Sequence, residues 1–311
     1  MSKEKILILY SCIYDMYRDA ASQYDNVDIK EIYTPLNNIG LRILRRIIIP
    51  IPGLDSFFFG DWNKNLNEYT KIIINDAMFN NNILKYISKK NAVASKYVYY
   101  TNAVRNSRIK PNNIPKDWRV YTFDISDSKE FDIEYSPEYY TEHQENIKYD
   151  LKYDVCYVGA DKTNVRLKNL LDIKEVLRKN KVQNFFHIFR VLKKYNKYEL
   201  QETTNMFLKY EDIQRIILES KCILELQMEG QSGCTLRTLE SMFLNRKFIT
   251  NNKDIVNYDF YNPNNIFVIE NADDFKDRFN DILKFMRSPY QKLPDMVKNN
   301  YKFCKWLERF R

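Results

Sequence analysis

The chain has 311 residues, 44% of them hydrophobic and 15% aromatic, which is enough for two folded domains and excludes a disordered polypeptide. Its 49 basic and 41 acidic residues leave a formal charge of +8, interleaved along the chain; this suits nucleic acid, an anionic membrane surface or phosphorylated ligands, and no DNA- or RNA-reading motif accompanies it. Five cysteines without Cys-x-x-Cys spacing and two distant histidines, His143 and His187, speak against a metal site and for buried free thiols.

Residues 5–10 read as an opening parallel strand, too short for a secretory leader. No stretch reaches the roughly 20 apolar residues of a membrane-spanning helix. Ser11–Arg18 is a loop entering a helix, and 29–34 and 70–75 are strands. Between those strands, Arg42–Phe59 combines three arginines with a dense apolar group and two prolines. That segment is either an interfacial element against anionic lipid headgroups or a core strand with surface arginines. Ile83, Leu84 and Ile87 mark a short helix face, and 96–100 and 118–123 are further strands.

Polar sequence over Glu130–Asp150 reads as a linker. The strand pattern restarts at Tyr153–Gly159, followed by a helix over 165–179, a strand over 182–189, a helix over 210–219 and a strand over 222–226. Met296–Phe310 reads as one terminal helix with Val297, Tyr301, Cys304 and Leu307 on a single face. Strand–helix alternation twice over, with a reset near residue 151, predicts an α/β protein of two Rossmann-like domains facing one cleft, residues 1–150 and 151–311.

The most informative stretch follows the strand at 222–226. It runs Glu229-Gly-Gln-Ser-Gly-Cys-Thr-Leu-Arg-Thr-Leu-Glu240 and leads through an apolar helix pattern into a short strand, 247–250. Strand, small-residue loop, helix and strand is an arrangement that offers backbone N–H groups and a helix N-terminus to an anion. Gly230, Gln231, Ser232, Gly233 and Thr235 form the loop; Arg237 is placed to meet phosphate, and the Glu240 carboxylate to accept two ribose hydroxyls. Glu225 is a carboxylate inside an apolar strand, so it lies at the strand's open end or pairs with a basic neighbour.

This unit resembles the donor-binding half of GT-B glycosyltransferases, and more narrowly bacterial capsule and lipopolysaccharide biosynthesis proteins with a Gly-Gln-(small)-Gly-x-Thr-Leu-Arg-x-x-Glu signature, matched by residues 230–240. Common GT-B members carry two glutamates with seven residues between them. Glu240 matches the second, Ser232 stands at the position of the first, and Glu229 lies three residues upstream of it.

The resemblance implies transfer of a sugar from a nucleotide-sugar donor to a growing surface polysaccharide or lipid-linked acceptor. It implies no cofactor and no essential metal. Gly159 at a strand end, and Arg190 and Lys194 after the next strand, join the 230–240 residues as donor-binding candidates. If the reaction inverts, a carboxylate is the expected base, and Asp15 and Asp76 lie where strands end. The implied location is cytoplasmic, with a peripheral position on the inner face of the cell membrane through Arg42–Phe59. A non-catalytic GT-B-like scaffold and a basic nucleic-acid-binding protein are the alternatives.

Overall fold

The computed structural model describes residues 4–311 except Cys12, Tyr14, Pro52, 77–79 and 142–148, and also leaves aside the side chains of Asp15 and Met16. The chain divides into two compact units, Met1–Thr141 with Phe303–Arg311, and Glu142–Lys302.

The first unit runs β1 (Ile6–Tyr10), α1 (Asp15–Ser22), β2 (Val27–Glu31), α2 (Ile39–Ile48), β3 (Lys71–Asn75), α3 (Asn81–Lys90), β4 (Ser95–Tyr100), β5 (Trp118–Thr122), α4 (Ile125–Phe131) and β6 (Glu134–Tyr135). All six strands are parallel, in the order β2-β1-β3-β4-β5-β6. Alternation along β1 divides the core. Leu7 and Leu9 face Ile83, Leu84 and Ile87 of α3, while Ile6, Ile8 and Tyr10 face an aromatic layer. That layer is closed by the chain's last residues, where Trp306 packs on Tyr99 and Phe310 on Tyr121.

The second unit runs β7 (Tyr153–Ala160), α5 (Asn164–Lys179), β8 (Asn184–Phe189), α6 (Lys197–Glu202), α7 (Tyr210–Leu218), β9 (Ser220–Glu225), α8 (Leu236–Phe243), β10 (Lys247–Thr250), β11 (Ile266–Val268), α9 (Ala272–Asp277), α10 (Phe279–Arg287) and α11 (Asp295–Asn299). Its five parallel strands are ordered β11-β10-β9-β7-β8. The chain steps from β7 outward to β8 and then returns to the other side of β7 with β9. This reversal makes the carboxyl ends of β7 and β9 the switch point of the sheet, where loops diverge and ligands find room.

Three elements differ from the sequence reading. Among the described residues of Arg42–Phe59 there is no core strand: its first part belongs to α2, capped by the Asn38 side chain accepting from the Leu41 N–H at 3.1 Å. A run of isoleucines carries strand propensity, but apolar and basic side chains here repeat at helical spacing, and the cap starts the helix. Residues within Glu130–Asp150 are not all linker, because α4, β6 and the buried Tyr139 and Tyr140 belong to the first unit. The terminal helix is two short ones, α11 and α12 (Phe303–Leu307). Between them, the Tyr301 hydroxyl donates to Asp259 at 2.6 Å in the second unit, while Phe303, Trp306 and Phe310 join the core of the first. Separate anchors on either side of residue 302 leave no continuous helical face.

Candidate nucleotide site of the second unit

Two loops meet at the switch point. The first leaves β7 through Gly159 and enters α5, whose N-cap is Thr163, its hydroxyl accepting from the Arg166 N–H at 3.1 Å. A Cβ on Gly159 would lie 2.7 Å from the Tyr157 hydroxyl. Glycine therefore leaves space for that hydroxyl, which accepts from Arg166 Nη2 at 3.1 Å and donates to the Ala160 carbonyl at 3.2 Å. Arg166 Nε is buried with no hydrogen-bond partner among the described residues. Lys162, in the left-handed region at φ 47°, shares the loop. Desolvation of its ammonium, and then the positive charge of Arg166, lower its pKa. Buried Asp161 ties this loop to the next by accepting from the Val191 N–H at 2.9 Å and from the Tyr195 hydroxyl.

The second loop joins β9 to α8. Gly230 makes the turn at φ 77°, a conformation side chains other than glycine resist. Glu225, at the last position of β9, organises the loop from beneath. Its carboxylate accepts from the Thr235 hydroxyl, from Thr250 Oγ1 at 3.1 Å and from Gln227 Nε2 at 3.1 Å. Burial raises its pKa, opposed by those same three donors. The carboxylate thus sits at the end of its strand and is met by neutral donors, with the charge of Arg166 acting on it and no ion pair among the described residues. Gln227 also donates to the Gly233 carbonyl at 3.0 Å, and Asn252 to the Ser232 carbonyl at 3.0 Å. The loop is held by side chains from the ends of β9 and β10. Thr235 then caps α8, accepting from the Thr238 N–H.

On α8, Arg237 and Glu240 bond to each other. Arg237 also donates to the Val158 carbonyl at 3.3 Å, linking the two loops. Burial acts to lower the arginine pKa, and the Glu240 carboxylate more than offsets it, so the net shift is upward. Glu240 is fully buried, and its Oε1 has no partner among the described residues. An unpaired buried acceptor costs roughly 1–3 kcal/mol.

The remaining sequence candidates fall in different places. Arg190 donates to Thr203 Oγ1 at 2.9 Å and to the carbonyls of Leu200 and Thr203 at 3.0 and 2.8 Å, so its guanidinium caps the carboxyl end of α6. Lys194 is exposed in the same connection, and Gln231 is partly buried at the turn. In the first unit Asp76 follows β3 and accepts from the Thr101 N–H and hydroxyl, both at 2.9 Å, and from Ser107 at 2.7 Å. Both its oxygens are engaged, and burial raises its pKa. Asp15 opens α1, and its side chain lies outside the described residues, as does His143. Sequence reasoning missed Glu138, a partly buried carboxylate beyond β6 whose pKa burial lifts to about 7, and it undervalued Tyr157, whose hydroxyl orients Arg166. No motif surrounds either residue. Among the described residues no group of three or more His, Cys, Asp or Glu is placed to hold a metal ion.

No protein-family model matches the chain, and no curated protein sequence matches it. Solved structures do. An alpha-glucosyltransferase in complex with UDP and a 13-mer DNA aligns over 98% of this chain and 94% of its own, at a TM-score of 0.58 and 10% identity. A co-structure of S. aureus MnaA with UDP aligns over 99% and 94%, at a TM-score of 0.51 and 10% identity. The fold is GT-B. At 10% identity the likeness extends to the backbone architecture alone.

Proposed function

We propose that this GT-B protein is a glycosyltransferase that moves a sugar from a nucleotide-sugar donor to a growing bacterial surface polysaccharide or a lipid-linked acceptor. The observation that carries the reading is Glu240. It is a sealed carboxylate with one oxygen on Arg237 and the other without a partner among the described residues, set beside a pinned small-residue loop at a sheet switch point. A ribose supplies the hydroxyls such a carboxylate lacks. On binding, Arg237 turns from Glu240 to the diphosphate and uncovers the carboxylate. Arg166 and Lys162 add positive charge at the end of β7, where Gly159 leaves room for the Tyr157 hydroxyl that holds Arg166. Lys194 is a more distant candidate contact, and Arg190 supports the connection after β8 from behind.

In transfer, an acceptor hydroxyl oxygen bonds to the anomeric carbon and gives its proton to a base or to the departing phosphate, while the bond from that carbon to the diphosphate oxygen breaks and its electron pair leaves with the nucleotide. Fixed positive groups and the N-terminus of α8 stabilise that charge, so the reading needs no metal and no cofactor. The first unit takes the acceptor; for an inverting reaction its base candidates are Asp15 and Asp76, joined by Glu138. Both neighbouring structures hold UDP, which makes uridine diphosphate the first nucleotide to try.

The deciding experiment is a thermal-shift and calorimetric series with UDP, GDP, CMP and their sugar conjugates, with magnesium and with EDTA. A ligand at a hundredfold excess over its Kd stabilises by about 2.7 kcal/mol. Stabilisation by one nucleotide, independent of EDTA and lost in Glu240→Ala, supports the reading. No binding of any nucleotide, with salt-dependent binding of oligonucleotides instead, would replace it with the nucleic-acid alternative. Nucleotide binding without release from any sugar conjugate would leave the non-catalytic scaffold.

A further inference from the structure

Helix α2 has no buried residue, although six of its ten positions are isoleucine or leucine. Ile39 is 71% exposed, Ile43 53% and Ile47 62%, and the segment beyond the helix continues the pattern with Phe57 at 79%. At about 100° per residue, the apolar side chains of the helix occupy an arc of roughly 200°, and Arg42, Arg45 and Arg46 fill most of the rest. A sorted helix of this kind ordinarily turns its apolar arc to the core. Here the core contacts come from beyond it, where Ile49 and Phe58 pack against the first unit's cluster.

The charges are sorted as well. Arg45 is held inward, donating to the Thr34 carbonyl at 2.9 Å and lying over the Tyr33 ring. Arg42 donates to the Leu36 carbonyl at 2.6 Å yet remains exposed, and Arg46 is exposed with no hydrogen-bond or ion-pair partner among the described residues. Asp55 is the only acidic residue between Glu31 and Asp61, and it is buried. The described residues from 39 to 57 therefore present apolar side chains and positive charge with no exposed carboxylate.

We infer that α2 and the residues through Phe57 form a docking surface for an anionic lipid bilayer. The helix lies in the plane of the interface, Ile39, Ile43 and Ile47 enter the acyl boundary, and Arg42 and Arg46 meet lipid phosphates. Sorting of this kind suits an interface with hydrocarbon below and anionic headgroups beside it. A second protein chain would need complementary acidic groups, and the self-pairing of this surface would bring its own arginines together. The inference stands on the first unit alone and does not depend on the nucleotide site.

The test is co-flotation of the full chain with phosphatidylcholine vesicles and with vesicles also containing phosphatidylglycerol. Binding is expected to the anionic vesicles and to weaken with salt. Arg42→Gln with Arg46→Gln lowers it roughly thirtyfold, at about 1 kcal/mol per basic residue near the surface. Ile43→Ser with Ile47→Ser lowers it at least about a hundredfold. Because these positions are exposed, the melting temperature and any nucleotide binding stay unchanged, which separates lost docking from misfolding and from failure of the donor site. Absence of flotation with anionic vesicles overturns the inference. So does a dimer in sedimentation analysis that the isoleucine variant converts to monomer while vesicle binding is absent, since the surface would then belong to a second copy of this chain.

Discussion

Arg237 covers Glu240: the arginine side chain is 19% exposed, and the carboxylate side chain it pairs with is completely buried. The asymmetry makes the two truncations unequal. Arg237→Ala leaves a buried carboxylate with neither partner and is expected to destabilise by about 3–5 kcal/mol. Glu240→Ala leaves an arginine that can reach water, at a cost of roughly 1–3 kcal/mol. Urea unfolding of both variants checks the order. Equal losses would mean that the pair is not the sealed arrangement described.

The close approach at Gly159 predicts a coupled pair. A Cβ there meets the Tyr157 hydroxyl at 2.7 Å and its ring carbon at 3.1 Å, so Gly159→Ala must displace a buried ring. The expected loss is about 1–3 kcal/mol, as for overpacking elsewhere. Tyr157→Phe removes the nearer obstacle, and the double variant should recover part of the loss, departing from additivity by more than about 0.5 kcal/mol. Additive effects would show that the glycine is needed for backbone reasons alone.

How much of this was legible depended on whether a signal was local. The strand–loop–helix around 230–240 could be read because glycines, a capping threonine and an apolar helix period lie within twenty residues. What Glu225 does was only half legible: a carboxylate in an apolar strand announces a special environment, but its partners Thr235 and Thr250 come from two other elements. The pairing of Arg237 with Glu240 follows from a three-residue spacing, yet sequence allows either residue to turn to a ligand instead. Arg190 shows the opposite limit, since its position after a strand suggested phosphate and the nearby end of α6 took its donors. The α2 segment was ambiguous because isoleucine suits strands, while its burial is decided by tertiary structure.

The network under the loop between β9 and α8 gives a third prediction. Glu225→Ala removes the common acceptor of Thr235, Thr250 and Gln227, all joined to it in the structure. Stranded buried donors together with a cavity are expected to cost about 3 kcal/mol or more. Glu225→Gln keeps the shape and one acceptor oxygen, and should cost about half as much. Nucleotide stabilisation should fall in the alanine variant even where the protein remains folded, because the Gly233 carbonyl loses the Gln227 side chain that fixes it. Alanine and glutamine variants of equal stability would separate the carboxylate from the loop.

Glu138 gives the protein a titration near neutrality. Its carboxyl is lifted from 4.5 to about 7, first by burial and then by the charge of Asp76, while the Tyr139 N–H donates to it and opposes the rise. Burial raises the hydroxyls of Tyr10, Tyr99 and Tyr139, and the charge of Glu138 adds to the rise. Between pH 4.5 and 7 the folded protein holds a proton here that the unfolded chain has released, so stability from this group is complete below the lower value and declines as pH rises through the upper one. Glu138→Gln removes the dependence. The melting temperature of the variant minus that of the wild type should be flat below pH 4.5, rise between 4.5 and 7, and level off with the variant the more stable. Taking the difference cancels the other titrating groups. A difference that stays constant across this range would mean that the carboxyl titrates in the ordinary range, and Glu138 would lose its place beside Asp15 and Asp76 as a candidate base.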